Sequence, residues 1–132
     1  CPYCRRGDEN LCLASRYTGW QADGGFAEYA LVPQAFAYAI PDALDAPSAT
    51  PLLCAGIIGW RALKRARVAP GARLGLYGFG ASAHIAIQVA RHLGCEVYVM
   101  TRDERHQRLA QELGAVWTGG ASARPPVALD SA

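Results

Sequence analysis

Between Ala72 and Arg102 the sequence reads ARLGLYGFGASAHIAIQVARHLGCEVYVMTR, an order of residues that few folds accommodate. Leu74, Leu76 and Tyr77 form a short apolar run that stops at Gly78-Phe79-Gly80, the pattern of a buried strand ending in a tight turn. Beyond it Ile85, Val89 and Leu93, with Ala86 and Ala90 beside them, recur at helical spacing, while Gln88, Arg91 and His92 fall on the opposite side. Gly94 suits the left-handed residue that closes a helix, and Val97, Tyr98, Val99 and Met100 then supply a second strand. In such a unit Gly78 permits the sharp turn, Gly80 lets backbone approach a pyrophosphate, and Ala83 is small enough for a helix to pack on its strand. Gly78, Phe79, Gly80, Ala81, Ser82 and Ala83 are therefore the expected cradle for a dinucleotide, its phosphates at the helix N-terminus. An ordinary strand-turn-helix unit is the alternative, and the presence of both flanking elements weighs against it.

A second such unit follows. Asp103 is placed to cap a helix over Glu104–Leu113, with Leu109, Ala110 and Leu113 toward the sheet. Gly114 ends it, and Ala115 to Trp117 begins a third strand. Strand-helix-strand-helix-strand is half of a doubly wound parallel α/β sheet, the Rossmann arrangement. Gly119 to Pro126 reads as a loop, and Ala128-Leu129-Asp130 as the approach to another strand.

The chain has 132 residues, 52% of them hydrophobic, enough to bury a core. Its net charge is +2 with no block of one sign, which suggests neither nucleic-acid nor membrane attraction. No apolar run is long enough for a bilayer and no signal peptide is visible, so a cytoplasmic location is expected. Met100 is the sole methionine, and the sequence is expected to be an internal fragment of something longer.

Of five cysteines, three crowd the first twelve residues. Cys1 and Cys4 have the spacing that lets neighbouring thiolates bite one ion, and Gly7 with Asn10 allows the loop to curl back for Cys12. A closed zinc site needs a fourth ligand, expected just upstream, whereas a reduced or disulfide-paired cluster is the alternative. Arg16 to Asp23 is turn-rich, with Trp20 read as packing; Phe26 to Val32 and Ala35 to Ile40 are expected strands. Within Asp45–Val68 a helix is expected whose buried face is Ile57, Trp60, Leu63 and Ala66, with Arg61, Lys64 and Arg65 outside. Considered alone, Cys54 at its start is a small core residue. His84, His92 and His106 read as partly exposed helix residues.

The order of these features resembles the zinc-dependent alcohol dehydrogenases of the medium-chain dehydrogenase/reductase superfamily. The matching pieces are Cys1, Cys4 and Cys12 with Arg6-Gly7 and Asn10, Asp23-Gly24-Gly25-Phe26-Ala27-Glu28-Tyr29, Pro51-Leu52-Leu53-Cys54-Ala55-Gly56, and Gly78 to Ala83. The resemblance implies that residues 1–53 are the end of a GroES-like catalytic domain carrying a structural zinc loop. Residues 54–132 would begin the NAD(P)-binding domain. It also implies that Cys54 is a ligand of a catalytic zinc, a Lewis acid on the substrate oxygen while hydride passes between an alcohol or aldehyde and the nicotinamide. The upstream cysteine and histidine of that site, and the proton relay, are expected outside this sequence, so the fragment alone is expected to be inactive. The family also implies a homo-oligomeric parent.

Cofactor choice follows from charge. An acid about twenty residues after the glycines would bond the ribose hydroxyls and repel a 2′-phosphate. Here Thr101 and Arg102 stand there, a hydroxyl and a guanidinium that can receive a phosphate, so NADP is expected to serve at least as well as NAD. One departure is Ile58, where many relatives place a threonine near the nicotinamide. With Trp20 and Trp60 it hints at an apolar substrate. A non-catalytic nucleotide-binding or regulatory module is the competing reading. A zinc-ribbon nucleic-acid binder lacks a second cysteine pair and a basic stripe.

Overall fold

The structure, a computed structural model, describes residues 1–131. It comprises two compact units, Cys1–Ala39 and Ile40–Ala132.

The first unit is mostly irregular. A single helical turn, α1 (Pro2–Arg5), is followed by a 3-10 turn at Glu9–Leu11 and another at Gln34–Phe36. Arg16 to Asp23 does turn, for the Tyr17 carbonyl accepts from the amides of Trp20, Gln21 and Ala22. The strands expected at Phe26–Val32 and Ala35–Ile40 are not formed. Phe26 and Leu31 are fully exposed, and a strand needs a neighbour to take up its amides and cover its apolar side. No such neighbour stands beside either segment among the described residues. Trp20, at 82% exposure, packs on nothing here, contrary to its sequence reading.

The second unit opens with α2 (Ala46–Ala49), capped by the Asp45 carboxylate accepting from the Ser48 amide at 2.9 Å. A 3-10 turn over Thr50–Leu53 leads into α3 (Ala55–Arg65). Then come β1 (Arg73–Tyr77), α4 (Ala81–His92), β2 (Glu96–Met100), α5 (Glu104–Glu112) and β3 (Trp117–Gly119). The sheet is parallel throughout in the order β1-β2-β3, with Leu74 opposite Val97 and Tyr98 opposite Trp117. The chain then returns to the free side of β1. There the Gly75 amide donates to the Ser131 carbonyl at 2.8 Å, Leu74 bridges Ser131 in the parallel sense, and the Arg73 amide donates to Asp130 Oδ2 at 2.8 Å. The approach to a further strand is thus present.

The core lies on one face of this sheet. Leu74, Val97 and Val99 meet Ala86, Ile87 and Ala90 of α4, Ala110 of α5 and Leu63 of α3. All of β2 from Val97 to Met100 is buried, as suits the central strand of a parallel sheet. The helix faces differ from expectation in two places. On α4 it is Ile87, absent from the expected face, that is fully buried, while Ile85 is only partly so. On α3 the covered residues are Gly56, Gly59 and Leu63, with Ile57 and Trp60 exposed. A side chain at Gly59 would fall 2.8 Å from the Ser82 carbonyl of α4, so the two helices approach through glycine rather than through the large residues a hydrophobic count selects.

Candidate functional site

In the first unit α1 places Cys1 and Cys4 one helical turn apart, on one side of the helix. Gly7, at φ +81°, then reverses the chain: its amide donates to the Cys4 carbonyl at 3.3 Å and that of Asp8 to Tyr3 at 3.0 Å. The Arg6 guanidinium braces this bend, bonding Asp8 at 2.7 Å and lying over the Tyr3 ring at 4.7 Å. The turn Glu9–Leu11 brings Cys12 back. The Cys1 sulfur lies 3.5 Å from that of Cys4 and 4.0 Å from that of Cys12, and all three are within 4.8 Å of one another. Thiolates about 2.3 Å from a tetrahedral zinc stand about 3.8 Å apart, so this set fits the ion with one position left. The Cys4 thiol is held above its ordinary value, first by its hydrogen bond with Cys12 and then by burial.

In the second unit β1 ends at Gly78, whose φ of +88° bars ordinary side chains. Phe79 is buried in the core, 4% exposed, so its side chain is not available at the surface of the turn. Gly80 is the N-cap of α4 and makes no side-chain cap; a Cβ on Gly78 or Gly80 would meet nothing within 4 Å. The first-turn amides of α4 have no acceptor inside the helix. Their open approach is a cradle an anion can enter.

Beside this turn, at the carboxyl ends of β1 and β2, lies a cavity of about 520 Å³ lined by Tyr77, Gly78, Met100, Thr101, Arg102, Asp103, His106 and Ala121. Thr101 is 8% exposed, its carbonyl accepting from Gln107 Nε2 at 2.8 Å, and Arg102 is exposed without an ion pair among the described residues. Asp103 caps α5, Oδ1 accepting from the Arg105 amide at 2.8 Å. The structure thus brings Gly78, Thr101 and Arg102 to one cavity and adds Asp103 and His106, which sequence reasoning placed on a helix without linking them to this site. Their spacing of three was the available signal, since an N-cap and the residue one turn on share a side.

Cys54 is the N-cap of α3, exposed and free, not the core residue its apolar context suggests. It stands five residues before Gly59, where α3 touches Ser82 in the first turn of α4, or about 7.5 Å along the helix. Among the described residues only Cys1, Cys4 and Cys12 form a group of three or more potential metal ligands, and Cys54 belongs to no such group.

A parallel sheet with a glycine turn at a helix N-terminus, joined in one sequence to a three-thiol loop, is an α/β architecture of the Rossmann type with a cysteine loop ahead of it. Residues 1–42 match the alcohol dehydrogenase GroES-like domain. AdhA of Mycobacterium tuberculosis (strain CDC 1551 / Oshkosh), assigned as a probable alcohol dehydrogenase, is 58% identical over all of this chain, which spans 38% of that relative's length. A short chain alcohol dehydrogenase from Escherichia coli CFT073 complexed with NADH superposes at a TM-score of 0.81 with 29% identity, over 95% of this chain and 37% of that one. A dehydrogenase from Sinorhizobium meliloti 1021, assigned as zinc-binding and bound to NADP, gives 0.80 with 35% identity over 94% and 36%. These likenesses run through almost the whole of the chain, which spans between a third and two fifths of the relatives it matches.

Proposed function

We propose that the protein containing this sequence is a zinc-dependent alcohol dehydrogenase, using NADP at least as well as NAD on an alcohol or aldehyde. The observation carrying this reading is the open glycine turn from Gly78 to Gly80 beside a cavity that ends in Thr101 and Arg102. In the proposal residues 1–53 belong to the catalytic domain and 54–132 to the cofactor domain. Cys1, Cys4 and Cys12 hold a structural zinc, and the exposed thiol of Cys54 is one ligand of a catalytic zinc. When bound, zinc supplies Lewis acidity and the nicotinamide a hydride donor or acceptor. The backbone from Gly78 to Ala83 receives the pyrophosphate, with α4 directing its positive end at the charge. Thr101 and Arg102 face the adenosine ribose. Ile58 offers only apolar contact where a hydroxyl would otherwise orient the ring.

The test uses the intact protein: zinc content, calorimetric titration with NADP and NAD, and alcohol-dependent reduction of each. Two zinc ions per chain, binding of both dinucleotides and turnover are expected. A protein that turned over alcohol without metal would overturn the zinc assignment, and one that bound neither dinucleotide would favour a module without redox chemistry. The 132-residue polypeptide alone is expected to show no turnover.

A further inference from the structure

The cavity at the ends of β1 and β2 contains one acid, Asp103, and that acid is occupied. Its Oδ1 accepts from the Arg105 amide at 2.8 Å and from Arg105 Nε at 3.3 Å, and its Oδ2 from Arg105 Nη2 at 2.8 Å. A free carboxylate there would do what the acid at the end of a second strand does, accepting from ribose hydroxyls and repelling a 2′-phosphate. Held in a fork by a guanidinium two residues away, it presents a neutralised pair instead. The remaining polar lining is Tyr77, Thr101, Arg102 and His106, every one of which can donate to a phosphate oxygen.

The geometry points to Arg105 as a positioning residue for cofactor choice: by sequestering Asp103 it keeps the adenosine-ribose end of the cavity receptive to a 2′-phosphate. This rests on the dinucleotide-binding reading above. Arg105 does so without lining the cavity, through the one carboxylate it engages. The pair is solvent-exposed, with the Arg105 side chain 81% accessible, so its influence is moderate rather than absolute.

The experiment measures dissociation constants of the intact protein for NADP and NAD, and for 2′-AMP and 5′-AMP as probes of the ribose end alone. In R105Q the cap from the Arg105 amide survives while the fork is lost, and the NADP-over-NAD preference is expected to fall about fivefold, with 2′-AMP weakened in parallel. D103N keeps a capping oxygen and removes the charge, so it should leave the preference unchanged or raised. The double variant R105Q/D103N should recover the original ratio, which a merely structural role for Arg105 would not produce. Unfolding midpoints of all three variants guard against a folding defect. If the ratio in R105Q matches that of the unmodified protein, or the double variant fails to recover it, the inference is overturned while dinucleotide binding stands. If neither dinucleotide binds the unmodified protein, both fall.

Discussion

Arg67 is the one residue other than glycine with a positive φ among the described residues, at +51°. It occupies the position after the cap of α3, its amide donating to the Lys64 carbonyl and that of Val68 to the Leu63 carbonyl. Left-handed backbone costs an L residue about 1 kcal/mol, so Arg67→Gly is expected to stabilise the protein by about that amount, read as a higher urea midpoint with an unchanged slope. Arg91 is the converse, a side chain whose value sequence reading underrated. Placed on the outer side of α4 by its periodicity, it reaches α5, and Nη1 donates to the Gly114 carbonyl at 2.8 Å and the Leu113 carbonyl at 3.3 Å. A cation there satisfies terminal carbonyls and complements the helix dipole. Nothing in a helical wheel reports a partner twenty residues away.

At the scale of elements, α1, α3, α4 and α5 end alike, each with a six-residue and a four-residue amide-to-carbonyl return around a left-handed residue: Gly7, Arg67, Gly94 and Gly114. Gly94 and Gly114 were legible as helix ends, because glycine after an apolar-periodic run announces itself, whereas Gly7 was read only as part of a curling loop. Arg67 was not legible, since arginine carries no such signal. The α3–α4 crossing depends on the missing side chain at Gly59, where an added methyl must displace the Ser82 backbone. Gly59→Ala is expected to cost about 1 to 3 kcal/mol, measurable by urea unfolding. Carboxylates hold several ends: Asp45 at α2, Asp103 at α5, and Asp130 against Arg73, each held below its ordinary range first by its hydrogen bonds to Ser48, Arg105 and Arg73 respectively. A depressed carboxylate contributes stability that is full above the unfolded value, about 3.9, and drains away as pH falls through the folded one. Thermal midpoints should therefore decline below about pH 4, and D130N should show a shallower decline.

For the molecule as a whole, the α/β half was readable and much of the first unit was not, for a physical reason. The elements from β1 to β3 bury their apolar residues against one another within this stretch of chain, so pattern and structure agree. Phe26, Tyr29 and Leu31 have a strand's composition, but composition does not supply a hydrogen-bonding neighbour, and here they stand exposed. Of the candidate site, the thiol loop and the glycine turn were visible as spacing, whereas the cavity required the fold to bring α5's first turn beside β1. The loop predicts a discrete outcome: Cys12→Ser in the intact protein should lower the zinc content by one ion per chain and leave the affinity for NADP within about twofold. Loss of both zinc and dinucleotide would tie the two sites together and contradict that separation.

The bridge between Leu74 and Ser131 has a consequence of its own. It makes β1 an interior strand, with successors laid down on one flank and the returning chain on the other. The chain that crosses from β3 back to that flank passes Ala121, which lines the hollow beside Gly78, so the threading of the backbone supplies one wall of the cavity.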